Sequence, residues 1–347
     1  MYIVCNVALG NSQVYNHLLA ISKLEIVDKI IILRHKMIDE NQKIPKAEYI
    51  LVSNNKFLRF LQMFFINFYY ALTKKVDWFV SFNPFPYGFI AWLPAKLCNI
   101  QIHFGFIGAD WYKNMHGFYS KFILHFVKHV NAITVTGPKM EKELIGRGII
   151  PNKTSILPHS IDIDKYKINT PEQCIYDCIF VGQFIKRKQI DIICKAFVIV
   201  VKKQPDAKLC LVGEGPELES IKKLIDELNL QDNVVCTGYT TEVFKYLQQS
   251  KIMIMASLME GFPFSIIEAI CSGLVIVTTP AGTIEDLINH SKNGYIFPYK
   301  NYKKCAEYVA RILNDKNLYS KIRSESLKLR NEYAYETATE VWRKILI

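Results

Sequence analysis

Two glutamates eight residues apart, Glu260 and Glu268, flank a Gly-Phe-Pro-Phe-Ser segment in the stretch MEGFPFSIIEAICSG. Pro263 and Ser265 mark the opening of a helix and Gly273 its end. Glu260 therefore falls in the loop before the helix, and Glu268 about a turn inside it. Both carboxylates can border one pocket at the helix N-terminus. Free N–H groups there, helped by the helix dipole, attract a diphosphate. Carboxylates would repel phosphate, so they are expected to accept hydrogen bonds from sugar and ribose hydroxyls. The spacing thus suits a phosphorylated sugar, although an ordinary strand–loop–helix with two solvated glutamates has the same pattern.

The elements around this stretch are strands and helices in alternation. Apolar runs at 252–256 and 274–277 read as parallel strands on either side of the helix. Further strands are expected at 1–7, 29–33, 49–52, 78–82, 100–106 and 176–181, and at the starts of the segments 131–150, 209–230 and 234–247, with helical segments between them. That alternation is the α/β signature. At 347 residues the chain is long for one domain and comfortable for two. No repeat of 20 to 50 residues recurs.

The decapeptide Glu-Gly-Phe-Pro-Phe-Ser-Ile-Ile-Glu-Ala resembles the E-x7-E motif of retaining glycosyltransferases of family 4, which have the GT-B fold. The resemblance covers residues 130–347 well and the first 130 in layout only. It implies two Rossmann-like domains facing across a cleft: 1–168, which binds acceptor, and 169–330, which binds the nucleotide-sugar donor. RNEYAYETATEVWRKILI resembles the family's final helix, so 331–347 is expected to return to the first domain. Residues 165–174 are the expected linker.

By the same resemblance Glu260 lies near the donor sugar and Glu268 holds the ribose. After the strand at 176–181 the family has Gly-Arg and a lysine five residues on, the pair that grips the diphosphate. Here Gly182 and Lys188 match, but Gln183 stands in the arginine's place, so Arg187 or Lys186 would have to supply the missing cation. The backbone at Gly238-Tyr239 would face the base. Gly261, Phe262, Pro263, Phe264 and Ser265 complete the implied donor site, with Glu260 and Lys188 as its catalytic pair. The implied reaction moves a hexose-type sugar from a UDP-, GDP- or ADP-sugar to a saccharide or lipid-linked hydroxyl. The anomeric configuration would be retained, with neither cofactor nor metal. A bacterial surface polysaccharide is the implied product.

Three further positions are expected at the cleft. Gly10 stands where the family has a glycine-rich turn. Asp110 ends the segment Ile107-Gly108-Ala109-Asp110, which resembles the family's His-Gly-x-Asp with Ile107 in the histidine's place. His103 lies on the same strand face, but four residues at about 3.3 Å each is too far for it to replace Ile107, and a buried, hydrogen-bonded histidine fits it better. Two partial motifs carry less. Gly213-Glu214-Gly215 lacks the third glycine of a dinucleotide fingerprint, Leu218 standing there. His125 and His129, one helical turn apart, have no third metal ligand in view.

Charge is unevenly placed. Residues 1–169 hold 20 Lys+Arg against 11 Asp+Glu, and the remainder 23 against 21, within a net charge of +11. Anionic partners are therefore plausible for the first half. In residues 56–74, Lys56, Arg59, Gln62, Asn67, Thr73 and Lys74 share a polar stripe, opposite Phe57, Phe60, Leu61, Phe64, Phe65, Phe68 and Leu72. A helix with this apolar face in the core is the favoured reading. The alternative is a helix in the interface of an anionic membrane, through residues 56–75. Nine cysteines scattered in apolar runs read as buried thiols of a cytoplasmic protein. The N-terminus MYIVCNVALG reads as a first strand rather than a signal peptide, and no apolar run is long enough to cross a bilayer. Competing functions are a GT-B nucleotide-sugar epimerase and a basic nucleic-acid-binding protein, the latter disfavoured because no binding motif appears.

Overall fold

The computed structural model describes the chain except residues 8, 38–41, 74, 109–110, 112–114 and 261–262. The chain forms two compact units, Met1–Ile161 with Ala334–Ile347, and Asp162–Tyr333. The division falls at 161/162 rather than at the expected 168. Residues 165–174 are no free linker either. Arg323 donates to the Asn169 carbonyl at 2.7 Å, and Arg330 donates to the carbonyls of Tyr166 at 2.6 Å and Ile163 at 2.7 Å. These bonds hold the segment within the second unit.

The first unit is built on strands β1 (Tyr2–Asn6), β2 (Lys29–Arg34), β3 (Ala47–Leu51), β4 (Trp78–Phe82), β5 (Gln101–Gly105), β6 (Ala132–Val135) and β7 (Thr154–Ile156). They form one parallel sheet in the order β3-β2-β1-β4-β5-β6-β7. Its helices are α1 (Asn11–Ser22), α2 (Lys56–Leu72), α3 (Phe89–Cys98), α4 (Ser120–Lys128) and α5 (Pro138–Gly146). The central strands are buried on both faces, as all-parallel sheets require.

The second unit repeats the plan with β8 (Tyr176–Val181), β9 (Leu209–Val212), β10 (Val234–Gly238), β11 (Ser250–Met255), β12 (Val275–Thr278) and β13 (Gly294–Ile296). Their order is β10-β9-β8-β11-β12-β13, again all parallel. Helices α6 (Ile190–Lys203), α7 (Leu218–Glu227), α8 (Val243–Gln248), α9 (Phe264–Cys271), α10 (Ile284–Leu287), α11 (Tyr302–Asn314) and α12 (Lys316–Leu327) accompany these strands. Phe180, Ile252, Ile254, Val275 and Val277 form one sheet face of the core, under Phe197, Val309 and Ile322 from the helices. In both sheets the strand order reverses once, between β1 and β4 and between β8 and β11. Ligands of such sheets bind beyond the carboxyl ends of the strands at that point.

The final helix α13 (Tyr335–Leu346) belongs to the first unit. Trp342 is fully buried, its ring 4.7 Å from that of His103 and 6.2 Å from that of Phe82. Thr339 donates to the Ala20 carbonyl at 3.1 Å, and Tyr335 donates to Asn16 at 2.7 Å.

Helix α2 flanks the first sheet as favoured for residues 56–74, Met63 and Ala71 joining the core, but much of its apolar face does not turn inward. Its buried positions are Arg59, Met63, Asn67 and Ala71, whereas Phe57, Leu61, Phe65 and Leu72 are exposed and Phe60, Phe64 and Phe68 only partly covered. Hydrogen bonds turn Arg59 and Asn67 inward, while Lys56, Gln62 and Thr73 stay exposed. Asn67 and Asn6 exchange side-chain bonds of 2.9 and 3.1 Å. Arg59 donates to the carbonyls of Ser53 at 3.0 Å and Asn54 at 2.8 Å. Buried polar groups so satisfied cost little, and the apolar face points outward. Among the described residues no helix is long and apolar enough to cross a membrane.

Candidate functional site

The site is assembled from loops that follow β8, β9, β10 and β11. After β8 the chain turns at Gly182 and forms one short turn of 3-10 helix, Lys186–Lys188, just before α6. Lys188 is buried, and its Nζ lies 2.6 Å from Oε1 of Glu260, which is buried as well. Glu260 comes from the loop after β11, so the pair spans the point where the strand order reverses. Arg187 Nη1 donates to the Met259 carbonyl at 2.9 Å and approaches Glu260 Oε2 at 3.5 Å. The Leu258 N–H donates to the Arg187 carbonyl at 2.8 Å. One buried carboxylate thus meets two cations, on loops fastened together through the backbone. Lys186, the other candidate for the missing cation, lines a separate recess beside α6 and α7.

The loops after β8 and β9 pack backbone to backbone. Phe184, fully buried, donates its N–H to the Glu214 carbonyl at 2.8 Å and accepts from the Glu217 N–H at 2.9 Å. Gly213 has φ +137°, and a Cβ there would stand 2.0 Å from the Gly182 carbonyl oxygen. Only glycine permits that approach. Gly213-Glu214-Gly215, set aside in the sequence as an incomplete dinucleotide motif, therefore shapes the site through its backbone. Beside it opens a cavity of about 430 Å³, lined among others by Gly182, Gln183, Glu214, Pro216 and Tyr239. Gly238 ends β10 at φ +75°, and Tyr239 stands 68% exposed at the cavity wall.

Helix α9 starts at Phe264 with Pro263 as its cap, and Phe264 and Ser265 form its partly covered first turn. It stops where Gly273 takes φ +83° and donates its N–H to Ile270. Glu268, half-buried on α9, accepts a 2.6 Å hydrogen bond from the Tyr166 hydroxyl. Burial raises its carboxyl above the ordinary range, against the opposing pull of that bond and of Lys165. Tyr166 was missed in the sequence because its contact with Glu268 is one of folding, not of spacing. Gly261 and Phe262 lie outside the described residues.

The three positions expected in the first domain separate. His103 is the buried, hydrogen-bonded histidine of the alternative reading rather than a cleft residue: it is fully buried, its Nε2 lies 2.9 Å from Thr134 Oγ1, and its ring packs on Trp342. Burial, with His17 nearby, lowers its pKa to about 3. Gly10 is exposed and caps α1 with φ −62°. Asp110 lies outside the described residues. Among the described residues no group of three or more His, Cys, Asp or Glu is placed to hold a metal. The rings of His125 and His129 lie 4.7 Å apart and tilted by 48°, on the surface. All nine cysteines are free thiols.

Residues 163–329, nearly the whole second unit, match the family described as glycosyl transferases group 1. The chain is 30% identical over 188 residues to a poly(glycerol-phosphate) alpha-glucosyltransferase of Bacillus subtilis (strain 168), a match covering 53% of this chain and 28% of that protein. The chain spans half or less of the length of the curated relatives it matches. Several solved structures align with it almost end to end. A glycosyltransferase from Rickettsia africae ESF-5 has a TM-score of 0.81 at 17% identity, covering 99% of this chain and 98% of that one. Anabaena Alr3699/HepE, crystallised in complex with UDP, has a TM-score of 0.80 at 14% identity with the same coverage. The fold is thus GT-B, two Rossmann-like α/β units with a returning C-terminal helix.

Proposed function

We propose that this chain is a retaining glycosyltransferase that moves a hexose-type sugar from a nucleoside-diphosphate sugar to a hydroxyl of a saccharide or lipid-linked acceptor. The second unit would hold the donor and the first the acceptor. Cell-surface polysaccharide synthesis at the cytoplasmic face of the membrane is the setting this reading favours. One observation carries it: a buried lysine–glutamate pair at the strand-order reversal, beside an open cavity walled by glycine backbone. The group 1 match over the same unit, the named activity of the Bacillus relative and the UDP bound by the Anabaena protein support it.

In this reading the base lies against Gly238 and Tyr239 and the diphosphate reaches Lys188. Arg187 supplies the second cation in place of Gln183. Glu268 accepts from the ribose hydroxyls, with Tyr166 fixing its rotamer. Glu260, already oriented by Lys188 and Arg187, accepts from hydroxyls of the sugar. Cleavage of the anomeric C–O bond leaves both bonding electrons on the nucleoside diphosphate. The cations and the N-terminus of α9 stabilise that charge, most strongly in a water-poor site. The acceptor oxygen then bonds to the anomeric carbon on the face just vacated, and its proton passes to the departing phosphate oxygen. No metal is assigned a role in this scheme, and no separate protein base is required.

Incubation with a panel of UDP-, GDP- and ADP-sugars and lipid-linked acceptors, followed by product NMR, tests the proposal. A glycoside with the donor's anomeric configuration supports it. An inverted product contradicts retention, and an epimerised donor formed without acceptor would establish the epimerase reading instead.

A further inference from the structure

Helices α2, α3 and α4 cover one side of the first sheet and leave an apolar surface facing out. Phe57, Phe65 and Leu72 on α2 are 70%, 65% and 69% exposed, Leu97 on α3 is 67%, and Phe118 just before α4 and Phe122 in its first turn are 95% and 48%. The surface is continuous. Helix α3 packs along α2, and Phe89 of α3 meets Phe126 of α4 at 4.8 Å between ring centres. Nor is α2 free to roll over, since its Asn67–Asn6 and Arg59–Ser53 bonds fasten the opposite stripe inside. Exposed apolar surface on this scale marks an interaction site.

The charge around it selects the partner. None of the three helices contains an aspartate or glutamate. Residues 56–140 hold nine Lys+Arg against Asp77 and Asp110 alone, a net +7 of the chain's +11. Exposed Lys56, Lys96, Lys121 and Lys128 lie on the helices themselves. Two such faces would repel each other, which disfavours self-association. Basic side chains around a projecting aromatic and aliphatic face suit the headgroup region of an anionic bilayer, where apolar burial and charge attraction act together.

We propose that this face of the first unit adsorbs to an anionic lipid bilayer, with α2 lying along the interface rather than crossing it. The membrane-interface reading of residues 56–75 is thereby extended to α3 and α4. Adsorption does not depend on the sugar-transfer reading, since it needs no substrate.

Co-sedimentation of the full chain with vesicles of phosphatidylcholine, alone or mixed with phosphatidylglycerol, tests it at low and near-physiological salt. Binding is expected to the anionic vesicles, weakening as salt rises, with little binding to the neutral ones. The triple variant F57S/F65S/L72S, altered only at exposed positions, should partition at least tenfold more weakly, on the order of one lost apolar anchor or more. Its circular dichroism should be unchanged. The variant K96E/K121E should lose the preference for anionic vesicles. No binding at low salt overturns the inference, as does wild-type binding by the triple variant. A stable dimer that the triple variant dissolves, with no vesicle binding, overturns it in favour of self-association.

Discussion

Lys188 Nζ lies 2.6 Å from Glu260 Oε1, and both side chains are almost wholly shielded from water. Removing one partner of such a pair strands the other as a buried charge, which costs about 3–5 kcal/mol. Lys188→Ala should therefore lower the melting temperature as well as turnover, the latter by about 10²-fold or more. The double variant K188A/E260A should recover much of the stability and none of the turnover. Thermal denaturation alongside initial rates separates the two effects. Near-normal turnover in Lys188→Ala would remove its catalytic role.

Arg187 is about half exposed and touches Glu260 only at 3.5 Å. It can swing toward a phosphate more freely than Lys188, and its pairing in the free protein is weak. Arg187→Ala should weaken donor binding by roughly threefold to tenfold and leave stability nearly unchanged. Gln183 lines the cavity, so adding Gln183→Arg to that variant should restore the affinity. Titration calorimetry with the cognate nucleotide reads both effects.

Glu268 sits where burial raises its carboxyl pKa. Its folded value exceeds the unfolded one, so the native state binds the proton more readily between them. The charged form thus weakens the fold near neutrality, a penalty relieved as pH falls through the folded pKa. Glu268→Gln keeps an acceptor for Tyr166 and removes the charge. It should melt at a higher temperature than wild type at neutral pH, with the difference closing in acid. Donor affinity should fall about tenfold, because a neutral amide accepts less strongly from ribose hydroxyls.

The core of the first unit carries the opposite dependence. Burial lowers His17 to about 4 and His103 to about 3, from an ordinary value of 6.5. Between those values the unfolded chain takes up protons that the folded one refuses, so stability falls as pH drops. The expected loss is about 1.4 kcal/mol per histidine per pH unit. For His17 the window runs from pH 6.5 down to about 4, and for His103 to about 3. Urea unfolding between pH 7 and 4 should show this slope, flattened in His17→Leu. An unchanged slope in that variant would assign the acid sensitivity elsewhere.

Much of the fold is legible in the sequence because parallel strands buried on both faces read as apolar runs. Segments such as those of β8, β11 and β12 end at turn residues. The E-x7-E spacing marks α9 and its loop for the same reason: everything involved is local. The short strands β7 and β13, three residues each, have no apolar run to announce them. The division at 161/162 depends on Ile161 bridging to Ala334, far along the chain. Helix α2 is the instructive failure. Its periodicity identifies an amphipathic helix correctly, but which face turns inward is decided by Asn6, Ser53 and Asn54, none of them on the helix. The reach of Arg187 to the loop before α9 is hidden likewise, since it depends on how two strand ends meet.

Titration calorimetry of the full chain with UDP-, GDP- and ADP-glucose, repeated on Lys188→Ala and Glu268→Gln, tests the donor-site assignment most directly. One nucleotide sugar is expected to bind with one-to-one stoichiometry, and each substitution to weaken it by about tenfold or more. Binding that neither substitution alters would contradict it, as would no binding of any of the three.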